Sequence, residues 1–174
     1  MKTLTKVLRA IDDLNDWLGR ILSYGIIVMF VLVLSEVIRR YFFNSPTVWG
    51  NELTQLTFGV YVVLSGPYVL RWGDHVNVDL FYSRFSPKGK AILDIITFPI
   101  FLLFAGMLLV YGGSFAIESM MRFEHSESAW NPAIWPFKLS IPIAAILLIL
   151  QGIAKLTRDI ITVVNGTAPD TAND

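Results

Sequence analysis

Glu36-Val37-Ile38-Arg39-Arg40-Tyr41-Phe42-Phe43-Asn44-Ser45-Pro46-Thr47-Val48-Trp49-Gly50-Asn51-Glu52-Leu53 is the stretch that decides the fold. It joins two long apolar runs and gathers acid, base and aromatic residues between segments that are almost free of charge. In a bilayer such groups must meet water at the interface or pair inside protein. Glu36 stands three and four residues before Arg39 and Arg40, the helical spacing at which opposite charges meet. Tyr41, Phe42, Phe43 and Trp49 suit headgroup depth, where a ring is half wet and half buried. Pro46 disfavours a helical Ser45 and cannot donate a helical hydrogen bond, so Asn44-Ser45-Pro46 turns the chain back.

Outward from this hinge the composition is that of a membrane protein. Of the 174 residues 54% are hydrophobic and 16% charged, and the mean hydropathy is +0.57. Four windows carry no charge: Ile21 to Ser35, Leu53 to Leu70, Ile95 to Ile117 and Leu139 to Ala154. Each extends naturally toward the roughly 20 residues that a helical span needs. The expectation is an all-α integral membrane protein with four transmembrane helices near 18–40, 52–70, 92–118 and 134–156, together forming a membrane domain over 19–160.

Ten of the 14 Lys and Arg residues fall in the N-terminal segment, the second loop and the C-terminal segment. That bias predicts N and C termini on the cytoplasmic side. Leu4, Val7, Leu8, Ile11, Leu14 and Leu18 recur at helical spacing, with Lys6, Arg9, Asp13 and Asp16 off the stripe. Residues 1–18 are therefore expected to form an amphipathic interfacial helix, the alternative being a simple extension of the first span. Asp12, Asp13 and Asp16 also argue against a cleavable signal. Residues 161–174 read as a flexible cytoplasmic tail.

Chemistry is conspicuous mainly by the classes it excludes. The chain has no cysteine and a formal net charge of zero, so neither thiolate chemistry nor nucleic-acid binding is indicated. No phosphate-binding loop is present. Neither of the two histidines lies inside a span, as a membrane haem would require. His75, with Asp74 and Asp79, falls in a loop assigned to the side opposite His125, so a metal site lacks ligands. No catalytic residue, cofactor or metal is expected, and His75 and Asp79 read as shaping the cytoplasmic loop. An ion carrier should hold an ionisable group well within the membrane, whereas these charges keep to the edges, Glu36 being the nearest exception. The residues describe an accessory helical unit packed against something larger in the lipid. A stand-alone homo-oligomeric carrier or channel is the alternative.

Three motifs together resemble a known family. They are Arg39-Arg40-Tyr41-Phe42-Phe43-Asn44-Ser45-Pro46-x-x-Trp49-x-x-Glu52-Leu53, Gly73-Asp74-His75-Val76-Asn77-Val78-Asp79, and Ile134-Trp135-Pro136-Phe137-Lys138-Leu139-Ser140-Ile141-Pro142. Their order and spacing, across nearly the whole chain, resemble the small membrane subunit, of DctQ type, of tripartite ATP-independent periplasmic (TRAP) transporters. The resemblance implies a bacterial inner-membrane protein that scaffolds a large permease subunit, with a periplasmic binding protein delivering an organic acid. It further implies uptake driven by an ion gradient, usually sodium, through sites in the large subunit. Within that reading Glu36, Arg39, Arg40 and Glu52 are expected to form a structural charge network. Trp49, Glu124, Glu127 and Trp130 are expected to touch the binding protein.

Overall fold

The structure is a computed structural model that describes residues 2–72 and 85–165. Four long helices dominate it: α1 (Lys2–Tyr41), α2 (Gly50–Trp72), α3 (Pro87–Met121) and α5 (Ser140–Asn165), with the single-turn α4 (Trp135–Lys138) leading into the last. All four long helices are long and apolar enough to cross a membrane. The protein is an all-α membrane protein.

Each boundary has a local cause. At the hinge Asn44 takes a left-handed φ of 45°, and the Ser45 amide donates to the Arg39 carbonyl, closing the end of α1. Ser86 caps α3 by accepting from the Gly89 amide at 3.2 Å, with Pro87 in the first turn where no donor is missed. The α3–α4 loop closes through a bridge between His125 and Ala133, with left-handed turns at Phe123 (φ 48°) and Asn131 (φ 51°). Phe123 is held there by edge-on contact with Trp135, ring centroids 6.3 Å apart.

In space the order is α1, α2, α5, α3: α1 packs on α2, α2 on α5 and α5 on α3, while α1 and α3 do not pack on each other. The bundle is thus an open row. Only 6% of the most apolar window of α1, and 6% of that of α3, is buried, against 39% at the last span, so α5 is the centre and the outer helices present their apolar sides to lipid. Small residues permit the close approaches: a Cβ on Gly19 would collide with the Tyr68 ring, and one on Gly152 with Phe101. Leu70, Ala105 and Leu148 make the compact apolar core between α2, α3 and α5.

Helix α1 is unbroken from Lys2, a length of about 60 Å at 1.5 Å per residue. The side of its first turns that packs inward mixes polar and apolar residues, and Lys6, Arg9, Asp13 and Arg20 are exposed on the other. Leu8, Asp12, Asn15 and Gly19 are buried, while Val7, Leu14 and Trp17 face out. At the other end of the chain α5 stays helical to Asn165, and the rest of the tail lies outside the described residues.

Candidate functional site: two polar rims

The polar side chains gather at the two ends of the row. Asp12 and Glu36 are 24 residues apart on the same helix, about 36 Å, slightly more than the hydrocarbon thickness of a bilayer.

At the hinge end, Glu36 is 7% exposed and is the hub. The guanidinium of Arg40 donates to Oε1 at 2.8 Å. The Thr47 amide donates to Oε2 at 3.1 Å and the Thr47 hydroxyl donates to the same oxygen. Thr47 in turn accepts from the Gly50 amide, capping the start of α2. Gly50 leaves room for this knot, since a Cβ there would lie 2.5 Å from Oγ1 of Thr47 and 3.0 Å from Oε2 of Glu36. One carboxylate therefore ties the end of α1, the hinge and the first turn of α2 together. Arg39 lies apart from it, reaching the Ser45 carbonyl at 3.5 Å. Adjacent helical positions point about 100° apart, so Arg39 and Arg40 cannot serve one carboxylate equally. Glu52 also lies elsewhere: Ser128 donates to its Oε2 at 2.5 Å, linking α2 to the α3–α4 loop.

That loop is fastened by Lys138, whose ammonium donates to Glu124 at 2.5 Å and stands 4.1 Å above the Phe115 ring. The Lys138 ammonium, which donates a hydrogen bond to it, is the main reason the Glu124 carboxyl is held below its ordinary range. Trp49 and Glu127 are exposed, and Trp130 is partly covered. His75 and Asp79 lie outside the described residues.

At the opposite end stands a cluster that the sequence reading did not single out. Gln151, fully buried in α5, accepts from Asn15 Nδ2 at 2.7 Å and donates to Asp12 Oδ1 at 3.0 Å. Arg158 pairs with Asp12 through Oδ2. Arg71 pairs with Asp16 and donates to the backbone carbonyl of Asp12 at 2.7 Å. Lys155 reaches across to Asp94 on α3 at 2.9 Å. This belt touches all four long helices and pins the first turns of α1 to α2 and α5. Its signals are individually plain: Asp16 lies off the apolar stripe, Asp12 counts only against a cleavable signal, and one glutamine in an apolar run carries no motif.

Among the described residues no group of three His, Cys, Asp or Glu is placed to hold a metal. The arrangement fastens helices by side-chain pairing at both rims, and between the rims the apolar windows carry no Asp, Glu, Lys, Arg or His. Fold and rims define a multi-pass membrane protein whose helices are fastened to one another at both ends. Residues 29–162 match the family described as tripartite ATP-independent periplasmic transporters, DctQ component. The chain belongs to that family and is the small permease component of a TRAP transporter. A curated relative, the sialic acid TRAP transporter permease protein SiaT of Haemophilus influenzae (strain 86-028NP), is 27% identical over 157 residues, 86% of this chain and 23% of the relative. The chain thus spans about a quarter of the length of the curated relative it matches.

Proposed function

We propose that the protein is a fixed membrane scaffold for a large permease subunit, and that the translocation path lies in that partner. The supporting observation is the distribution of charge. Glu36, Asp12, Asp16 and Asp94 are all engaged by cations of this same chain, and the four charge-free windows between the rims hold no Asp, Glu, Lys, Arg or His, Arg20 standing just outside the first of them, about two turns in from Asp12. The open row leaves broad apolar faces on α1 and α3 for a second membrane protein.

The Lys and Arg bias favours the belt of Asp12 and Arg158 on the cytoplasmic side and the Glu36 rim on the periplasmic side of a bacterial inner membrane. In that orientation the first turns of α1 run along the cytoplasmic interface, and Trp49, Glu124, Glu127 and Trp130 face a periplasmic binding protein. The substrate we propose is an organic acid, carried with an ion gradient, sodium being the expected ion, and the relative named for sialic acid supports that class. Coexpression with the large permease and gentle detergent purification test the scaffold role. A stable complex is expected, and Arg40→Ala is expected to lower both its yield and uptake; unchanged yield and uptake contradict the role given to the Glu36 rim.

A further inference from the structure

A groove of about 500 Å³ runs between α3 and α5, with Leu70 of α2 at its floor. Its mouth and its body differ in kind. Asp94, Lys155 and Asp159 stand at one end, on the belt described above, and Phe98, Phe101 and Phe104 continue from them along α3. From Asp94 to Phe104 is ten residues, about 15 Å along the helix axis, half the thickness of the hydrocarbon core. The groove is thus charged at the membrane rim and aromatic toward the midplane. That is the polarity of one leaflet's phospholipid.

The charges select among headgroups. Of the four carboxylates in the belt, Asp12, Asp16 and Asp94 each have an ion-pair partner, whereas Asp159 makes no ion pair and no side-chain hydrogen bond among the described residues. An unpaired carboxylate beside hydrocarbon calls for a cation. Lys155, one helical turn away on the same side of α5, is paired with Asp94 at 2.9 Å, and its ammonium keeps further N–H donors for a phosphate. A carboxylate and an ammonium side by side complement a zwitterion with a phosphate and a primary amine. We propose that the groove between α3 and α5 binds phosphatidylethanolamine, with its amine on Asp159, its phosphate at Lys155 and an acyl chain along Phe98, Phe101 and Phe104. Phosphatidylcholine has a methylated amine that donates no hydrogen bond, and phosphatidylglycerol has no cation. Bound lipid would fill the concavity that α3 and α5 leave open and so stiffen the free edge of the row. The inference does not depend on what the transporter carries.

The experiment uses the full chain in nanodiscs of phosphatidylcholine doped with a minor fraction of either phosphatidylethanolamine or phosphatidylglycerol, with annular lipid composition read by native mass spectrometry. Wild type is expected to retain phosphatidylethanolamine about tenfold over either competitor, the scale of one charge-assisted hydrogen bond. Asp159→Asn, nearly the same shape without the charge, is expected to lose that preference while keeping wild-type helicity and melting temperature in pure phosphatidylcholine. No preference in wild type, or an undiminished one in Asp159→Asn, overturns the proposal. Because the chain has no cysteine, Thr97→Cys gives a unique thiol in the groove for a photo-crosslinker. In the complex with the large permease, adducts of phospholipid mass are expected. Adducts to a partner protein would show that a helix fills the groove and overturn the lipid assignment.

Discussion

Asn15 and Gln151, 136 positions apart in the chain, are both fully buried and share a hydrogen bond of 2.7 Å between the first turns of α1 and the middle of α5. Both side chains are buried, and Asn15 Nδ2 meets Gln151 Oε1 only if the two helices are in register. The pair acts as a registration mark in a bundle whose apolar contacts alone would tolerate sliding.

Removing the mark should be costly. Gln151→Ala strips Asn15 of its acceptor and Asp12 of a donor, and is expected to destabilise the bundle by about 1–2 kcal/mol. Denaturant unfolding in detergent measures it, and Asn15→Ala combined with Gln151→Ala should cost less than the sum of the two single changes.

Charge removal in the same belt should be harsher than charge swapping. Arg158→Ala leaves Asp12, 6% exposed, beside Gln151 and Arg71 without its closest cation. A loss of about 3 kcal/mol is expected. Asp12→Asn added to Arg158→Ala should recover part of that loss, because the uncompensated charge is gone. The same melting assay reports both.

The loop between α3 and α4 should loosen in acid. The Glu124 carboxyl titrates below its ordinary 4.5 because Lys138 donates to it, so its contribution is present above 4.5 and disappears as the pH falls through the lower folded value. Protection factors over residues 122–135, with the intrinsic pH dependence of amide exchange divided out, are expected to stay constant from neutral pH down to about 5 and to fall in that acid window. Lys138→Met should already exchange fast at neutral pH, with little further acid response.

At the hinge, Thr47→Val should separate anchoring from charge. It removes the hydroxyl that donates to Glu36 and caps Gly50, but leaves the Arg40 pair and the Thr47 backbone bond in place. The expected cost is about 1 kcal/mol, typical of a lost helix cap. Complex formation with the large permease should persist.

Much of this architecture could be read from residues alone, and the exceptions share one cause. The four spans follow from charge-free windows, the turn from Asn44-Ser45-Pro46, and the Glu36 to Arg40 contact from helical spacing, because each signal is local. Thr47 was silent since its role depends on how tightly the hinge folds back over Glu36. Glu52 was grouped with its sequence neighbours, whereas its partner Ser128 stands 76 positions away. The inner belt stayed hidden because its partners lie far apart in the chain, Asn15 and Asp12 meeting Gln151 and Arg158 across 136 to 146 positions.

The central claim is that this protein braces a transporter without conducting anything itself, and reconstitution addresses it most directly. Purified chain alone in liposomes under a sodium gradient, with an organic anion outside, is expected to give no uptake above empty vesicles. The same vesicles containing the large permease, with the binding protein supplied outside, are expected to accumulate the anion. Gradient-dependent uptake by the chain alone would contradict the account, as would full uptake by the permease and binding protein with this chain left out.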